Sequence, residues 1–203
     1  MSRKRASQPH AGRSHPKMDP RVRRSRDALG AALIALMQEK QFDAITVQDV
    51  LDRAGVSRST FYQHYSDKDD LFTSDADEFF EWMSTALSFH GDRSERVAPV
   101  REFFAHVAEM RSFFGALLES GRAQETMELA RGHFARGIER RLGELEKARG
   151  IPPAERRAMA VAYAGALVSL LEWWVGRGMD QTPEAIDALF HRMVWSGTAA
   201  QGG

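Results

Sequence analysis

The sequence predicts an all-α protein, and three of its patterns support this fold class. Apolar residues recur at spacings of three and four over long segments, which gathers them on one face of a helix. No segment of useful length alternates apolar and polar residues as a half-buried strand would. Glycine and proline divide the second half of the chain into pieces of helical length. These breaks lie at residues 91–92, 121, 150–153 and 176–182.

The composition is that of a globular chain that can bury a core, with 43% hydrophobic residues among 203. The chain contains no cysteine, which excludes disulfides, thiolate metal sites and cysteine nucleophiles and fits a reducing compartment. The sequence shows no apolar run long enough to span a membrane. The N-terminus also lacks the apolar segment that a secretory signal needs. We therefore expect a soluble, cytoplasmic protein.

The net charge of zero hides an uneven distribution of charge. Residues 1–26 hold nine Lys or Arg and one acid, so this end carries a charge of +8 and the remainder −8. Few apolar residues and several prolines, glycines and serines predict disorder over roughly the first twenty positions. Such a tail can lie along phosphates or enter a minor groove, or it can be a solvated segment without a partner.

The segment 46–72 predicts two short helices joined by a tight turn. Thr46 and Ser57 stand where each helix begins, and their hydroxyls can cap the helix N-termini. Gly55 tolerates the left-handed conformation that ends the first helix. The inward faces carry Val47, Val50, Leu51 and Ala54 in the first helix and Phe61 and Tyr65 in the second. This arrangement predicts a helix-turn-helix whose second helix presents a polar face outward.

That polar face suits the major groove of DNA, where Gln can pair with adenine, Arg with guanine and Ser or Thr with several base edges. Tyr62 and His64 flank the face and are expected to reach phosphate oxygens. Lys68 follows the capping residue Asp67 in the first turn of another helix, where an external phosphate would offset its charge. The predicted DNA contacts are Thr46, Ser57, Arg58, Ser59, Thr60, Tyr62, Gln63, His64 and Lys68.

These motifs resemble the TetR family of bacterial repressors over about residues 24–71. The resemblance includes the AGVS turn, the TFYQHY recognition segment and the DKDDL start of the next helix. It also includes Leu29, Leu33, Leu36 and Met37 on one face of a leading helix, and Phe42 and Thr46 before the second helix. Tyr65 departs from the family pattern, which usually has phenylalanine there. The alternative is a helical hairpin of an ordinary all-α core, with polar residues facing solvent.

Composition and the resemblance together divide the chain into three parts: a disordered basic tail at 1–21, a three-helix DNA-binding domain with the helix-turn-helix at 22–72, and a helical effector-binding and dimerisation domain at 73–203. Beyond residue 66 the pattern predicts helices near 67–89, 95–109, 111–120, 124–148, 153–176 and 183–196.

The helix predicted at 153–176 is apolar or small around nearly its whole circumference after Arg157, so it must be buried on both sides. A partner subunit can supply the second surface, and the chain is expected to be a homodimer. The resemblance agrees, because TetR-like proteins dimerise through their last two long helices. The predicted interface residues are Ala160, Ala164, Leu167, Leu171, Trp174, Ile186, Leu189, Phe190 and Met193.

The resemblance also implies a small-molecule pocket in the second domain, and pockets of this kind have mainly apolar walls with a few polar groups. The candidate pocket residues are Trp82, Phe103, His106, Met110, Phe114 and Trp173. Each can instead be a packed core residue, because the same residue types dominate both environments. We expect no cofactor and no metal site.

The function expected from these observations is that of a regulator, a repressor released from a palindromic double-stranded DNA operator by an unknown effector. The helix near 67–89 would transmit the effect of effector binding in the second domain to the DNA-binding domain. An enzyme is not expected, because the histidines form no HExxH pair and no phosphate-binding glycine loop or nucleophile elbow is present. The alternative is a constitutive nucleoid-associated binder that uses the basic tail and has little sequence preference.

Overall fold

The computed structural model describes residues 19–89 and 91–196, and the described residues contain helices, turns and loops but no strand. The chain divides into two compact units, Met1–Phe72 and Thr73–Gly203. The nine α-helices of the described residues are α1 Pro20–Met37, α2 Val47–Ala54, α3 Arg58–Tyr62, α4 Lys68–Phe89, α5 Val100–Glu109, α6 Arg111–Glu119, α7 Ala123–Glu144, α8 Pro153–Gly176 and α9 Pro183–Ser196. The all-α prediction is confirmed.

The basic tail predicted at 1–21 lies outside the described residues up to position 18. Its last two residues are already helical, because α1 begins at Pro20. Asp19 caps this helix by accepting a hydrogen bond of 2.8 Å from the amide of Arg21. The proline occupies the first helical position, where its missing N–H is not needed. The expected tail therefore extended two residues too far.

The first unit encloses a small core between α1, α2 and the segments that follow them. The predicted inward face of α1 is buried, and α1 packs against α2. A short 3-10 turn, Phe42–Ala44, leads from α1 toward α2 and buries its phenylalanine. The core side chains of this unit are Leu29, Leu33, Leu36, Met37, Phe42, Ile45, Val50, Leu51, Phe61, Tyr65 and Leu71.

In the second unit, α7 packs along α8, and α5 packs against α9. Phe103 and Phe134 lie 4.9 Å apart between ring centroids, and Phe104 lies 5.0 Å from Trp174. All four rings are buried. The aromatic residues of α5 therefore hold α7 and α8 together in one core.

Two predicted helix boundaries differ from the structure by more than one residue. The helix expected from residue 95 begins at Val100, because Ala98 precedes Pro99 and a residue before proline disfavours the helical conformation. The loop ahead of α5 is held by Arg141 of α7, which donates to the carbonyl oxygens of Asp92, Ser94 and Arg96. The helix expected to reach residue 148 ends at Glu144, and a separate 3-10 turn, Glu146–Ala148, follows it.

Helix α8 is one helix of the described chain that is long and apolar enough to cross a membrane by length and composition, although no such run was expected. Of its most apolar window, 33% is buried within the chain. Leu167, Val168 and Leu171 belong to this buried part, and α8 packs against α7. The apolar residues on one face of α8 therefore belong to the core of the second unit.

Candidate nucleic-acid interface

The turn between α2 and α3 has the predicted geometry. Thr46 accepts a hydrogen bond of 3.1 Å from the amide of Asp49, whose carboxylate accepts one of 2.8 Å from the amide of Thr46. This reciprocal capping box begins α2. Gly55 ends that helix in the left-handed conformation, with φ of 65°. Ser57 then caps α3 by accepting a hydrogen bond of 3.2 Å from the amide of Thr60.

Lys40 reinforces the start of α2. Its ammonium lies 2.8 Å from the Asp49 carboxylate. Hydrogen bonds from Lys40 and then from Thr46 hold the pKa of that carboxyl well below its usual range. Asp49 therefore stays ionised, and keeps its capping role, at lower pH than an ordinary aspartate would.

Helix α3 turns its apolar side inward and its polar side outward. Phe61 is fully buried and Tyr65 nearly so, as predicted. Arg58, Ser59 and Gln63 are exposed. The helix ends at Tyr62, so Gln63 is its C-cap rather than an interior residue. The side chains of Arg58, Ser59 and Gln63 are therefore accessible to a groove of DNA.

The remaining residues of the predicted interface differ in exposure. Thr60 and His64 are half-buried, whereas 51% of the Tyr62 side chain is exposed. The hydroxyls of Ser57 and Thr60 are hydrogen-bonded to each other at 2.8 Å, and the Thr46 hydroxyl donates to Asp49 at 2.8 Å. Thr46 and Ser57 thus act as helix caps. Direct DNA contacts from these side chains stay a prediction.

Lys68 has a role that the sequence did not reveal. Its ammonium donates to the carbonyl oxygens of Phe42 and Ile45 at 2.7 and 2.8 Å, and it lies 4.6 Å from the centroid of the Phe42 ring. These contacts join the start of α4 to the loop between α1 and α2. Lys68 therefore supports the fold of the first unit, and its contact with a DNA phosphate stays a prediction.

A further residue of α2, Gln48, contacts the recognition helix and was not predicted. Its side-chain oxygen accepts a hydrogen bond of 2.8 Å from Nη2 of Arg58. Its side-chain nitrogen donates to the carboxylate of Asp52 at 2.7 Å. The spacing of four between Gln48 and Asp52 places both on one face of α2, which is the signal that the sequence contained.

The six candidate pocket residues of the second unit differ in burial, and their role in binding an effector stays a prediction. Phe103 lies in the centre of the aromatic core and Phe114 is buried, whereas Trp82 and Trp173 are more than 40% exposed. His106 stacks on Phe79 with 4.7 Å between ring centroids. Phe79 also contacts the rings of Trp82 and Phe103 at 6.4 Å. The candidates Trp82, Phe103 and His106 therefore surround Phe79, a residue that was not predicted.

Most of the predicted dimer residues are buried within the chain's own core, and their contact with a partner subunit stays a prediction. The buried members are Ala160, Ala164, Leu167, Leu171, Trp174, Ile186 and Phe190. Leu189 is half-buried, and Met193 is 44% exposed. The sequence pattern shows apolar residues on both sides of α8, but it does not show which side packs against α7. The exposed apolar surface of the last two helices instead includes Val161 and Trp173, at 57% and 43% exposure.

Within the described residues, no group of three or more His, Asp or Glu side chains has an arrangement that could hold a metal ion. Some histidine and acidic side chains of the second unit form hydrogen bonds with one another instead. His133 of α7 is an example, with its two ring nitrogens 3.1 Å from Glu81 and 2.7 Å from Asp77 of α4.

Two family models match the chain. Residues 29–74 match the model described as bacterial regulatory proteins, tetR family. Residues 99–195 match the model described as a transcriptional regulator C-terminal region. The two matches cover the helix-turn-helix and most of the second unit.

Individual proteins agree with these models. The HTH-type transcriptional regulator YxbF of Bacillus subtilis is 39% identical over 56 residues, which are 27% of this chain and 15% of that protein's length. A TetR regulator from Streptococcus agalactiae is 24% identical, with a TM-score of 0.59 over 86% of this chain and 95% of that one. The fatty acid degradation regulator FadR of Bacillus halodurans is 17% identical, with a TM-score of 0.64 over 88% and 96% of the two chains. Both structures share the fold.

Proposed function

The chain belongs to the TetR family of bacterial regulatory proteins, and we propose that it represses transcription from a palindromic operator until a small-molecule effector releases it. The observation that carries the proposal is the polar surface of α3 and its C-cap, where Arg58, Ser59 and Gln63 are exposed while Phe61 and the following Tyr65 are buried. Arg and Gln are the side chains that pair bidentately with guanine and adenine. The proposed site of action is the cytoplasm, and no catalytic role is proposed.

The proposed active form is a homodimer. Two recognition helices must enter successive major grooves about 34–36 Å apart on one face of the duplex. The exposed Val161 and Trp173 of α8 and Met193 of α9 supply apolar surface for the contact between subunits. Val161→Arg and Met193→Arg should shift sedimentation toward the monomer. Leu118→Arg, on an α6 side chain that is 45% exposed, is the control that should leave the dimer intact.

The proposed effector acts through α4, which begins at Lys68 and continues to Phe89 in the second unit. A ligand that binds between helices of the second unit and favours one placement of α4 would alter the spacing of the two recognition helices. This control requires that the ligand bind the two states with different affinity. An effector that saturated the protein and left its DNA affinity unchanged would contradict the mechanism.

Selection of bound duplexes from a random library at physiological salt tests the DNA-reading proposal. The intact chain should enrich a palindrome, and Gln63→Ala should change or lose the preference at the base pair that Gln63 contacts. Binding without enrichment would instead support the nonspecific, tail-driven alternative, which would depend steeply on salt.

A further inference from the structure

The guanidinium of Arg58 is held by a chain of two hydrogen bonds on the surface of the helix-turn-helix. Nη2 of Arg58 donates to Oε1 of Gln48 at 2.8 Å, and Nε2 of Gln48 donates to Oδ1 of Asp52 at 2.7 Å. Gln48 and Asp52 lie one turn apart on α2, and Arg58 is the first residue of α3. These two hydrogen bonds therefore connect α2 to α3, the recognition helix.

The chemistry of the three side chains fixes which group donates and which accepts in each of the two hydrogen bonds. A guanidinium only donates hydrogen bonds, and a carboxylate only accepts them. The amide of Gln48 can satisfy both neighbours in one orientation alone, with its oxygen toward Arg58 and its nitrogen toward Asp52. Asp52 thus sets the orientation of the amide, and the amide sets the position of Arg58.

An arginine that is held in one conformation before DNA binds reads a base more readily than a mobile arginine does. A free arginine on a protein surface samples many rotamers, and a bidentate contact to a guanine requires one of them. The bond to Gln48 uses one of the five guanidinium N–H groups and leaves the others for O6 and N7 of a guanine. A side chain fixed in this way loses less freedom when it binds DNA.

We propose that Gln48, oriented by Asp52, is a positioning residue that fixes Arg58 in the conformation from which it reads one guanine of the operator. The inference rests on the proposed function and adds to it a determinant of specificity outside the recognition helix. Gln48 acts through Arg58 in this account and does not itself contact a base.

The test repeats the selection with variants and measures base preference at each operator position. Arg58→Ala should lower the preference at one base pair by about tenfold or more. Gln48→Met keeps the length of the side chain but accepts no hydrogen bond from Arg58, and it should lower the preference at the same base pair by about three- to tenfold. Asp52→Ala should relax that base pair to a smaller extent, because the amide is then free to turn. Gln63→Ala is the control that should act at a different base pair.

A conservative variant separates positioning from a loss of structure. Gln48→Glu keeps an acceptor for Arg58, so it should retain the preference at that base pair, although its added charge lowers affinity for every duplex. A glutamate variant as relaxed as the methionine variant would contradict the inference. The double variant Gln48→Met with Arg58→Ala should be no more relaxed than Arg58→Ala alone.

The outcomes distinguish this inference from the proposed function. If the intact chain selects no palindrome, both fail. If it selects a palindrome and Gln48→Met keeps the full preference, or relaxes a base pair other than that of Arg58, the positioning role is overturned while the regulator remains. The same holds if Arg58→Ala relaxes no base pair, because Arg58 would then read none.

Discussion

Arg26 of α1 donates from Nε to the hydroxyl of Tyr65 at 2.8 Å, and its guanidinium lies 5.7 Å from the centroid of the tyrosine ring. The ring is buried, with 3% of the residue exposed. Tyr65 is the position at which the chain departs from the phenylalanine usual in the family pattern. The hydroxyl is accommodated because α1 provides a cation for it, so the departure joins α1 to the segment that follows the recognition helix.

Removal of this hydroxyl should cost stability but not packing. Tyr65→Phe keeps the buried ring and removes the acceptor from Arg26, so the free energy of unfolding should fall by about 1–2 kcal/mol. Urea denaturation followed by circular dichroism measures the change. Tyr62→Phe is the control, because 51% of Tyr62 is exposed, and it should change the value by less than about 0.5 kcal/mol. Equal losses in the two variants would show that the Arg26 contact contributes nothing.

Lys68 should behave as a structural residue. Lys68→Met leaves the carbonyl oxygens of Phe42 and Ile45 without this donor, which should lower the free energy of unfolding by about 2–3 kcal/mol. Lys40→Met removes an ion pair that is about one-third exposed and screened by solvent, so it should lower the free energy of unfolding by much less than Lys68→Met. If Lys68 were only a phosphate clamp, its variant would unfold like the wild type and would reduce the salt slope of DNA binding by about one.

Gly137 of α7 lies close to the backbone of α4. A Cβ at this position would lie 2.4 Å from the carbonyl oxygen of Ser84, a backbone atom that cannot move aside easily. Gly137→Ala should therefore lower the free energy of unfolding by about 1–3 kcal/mol, although alanine favours helices. Gly143→Ala on the same helix meets no atom within 4 Å and should raise stability by about 0.5–1 kcal/mol. Thermal unfolding of the pair checks the prediction, and destabilisation by both would contradict it.

Arg96 joins the start of α5 to α9 through two carboxylates. It binds Glu102 with two hydrogen bonds, of 3.0 and 2.5 Å, and it lies 2.8 Å from Asp187. Burial is the largest influence on both carboxyls and opposes their ionisation. For Glu102 the hydrogen bonds and charge of Arg96, together with a backbone hydrogen bond and one from Arg101, outweigh burial and lower the pKa to about 2. For Asp187, His191 and then Arg96 outweigh burial and lower the pKa to about 2.

This pairing should make the stability of the second unit depend on acid. Both pKa values lie below the ordinary values of about 3.9–4.3, so the pairs stabilise the fold above about pH 5. That stabilisation should be lost as the pH falls toward 2. Arg96→Met should lower the free energy of unfolding by about 1–3 kcal/mol at pH 7, and the difference from wild type should shrink between pH 5 and 2. Urea denaturation across this range checks the sign. A difference that stays constant or grows in acid would contradict it.

The local motifs of the first unit could be predicted because each depends on residues near one another in sequence. The caps at Thr46 and Ser57 and the left-handed Gly55 follow from residue type and spacing alone. The contacts of Lys68 and Arg26 join residues 23 to 39 positions apart, and no periodic pattern records them. The pocket and dimer predictions had a related weakness. An apolar stripe shows that Leu167 and Trp174 are buried, but it does not show whether their neighbours come from the same chain.

The most direct test of the central claim is the ratio of affinities for the selected palindrome and for a scrambled duplex of equal length, measured from low to physiological salt. A dimeric reader that uses α3 should keep a ratio of about 1,000 or more at physiological salt, and scrambling one half-site should abolish most of it. The ratio should fall in Arg58→Ala and Gln63→Ala. A ratio near one, with the same steep salt dependence for both duplexes, would contradict the account and leave a nonspecific binder.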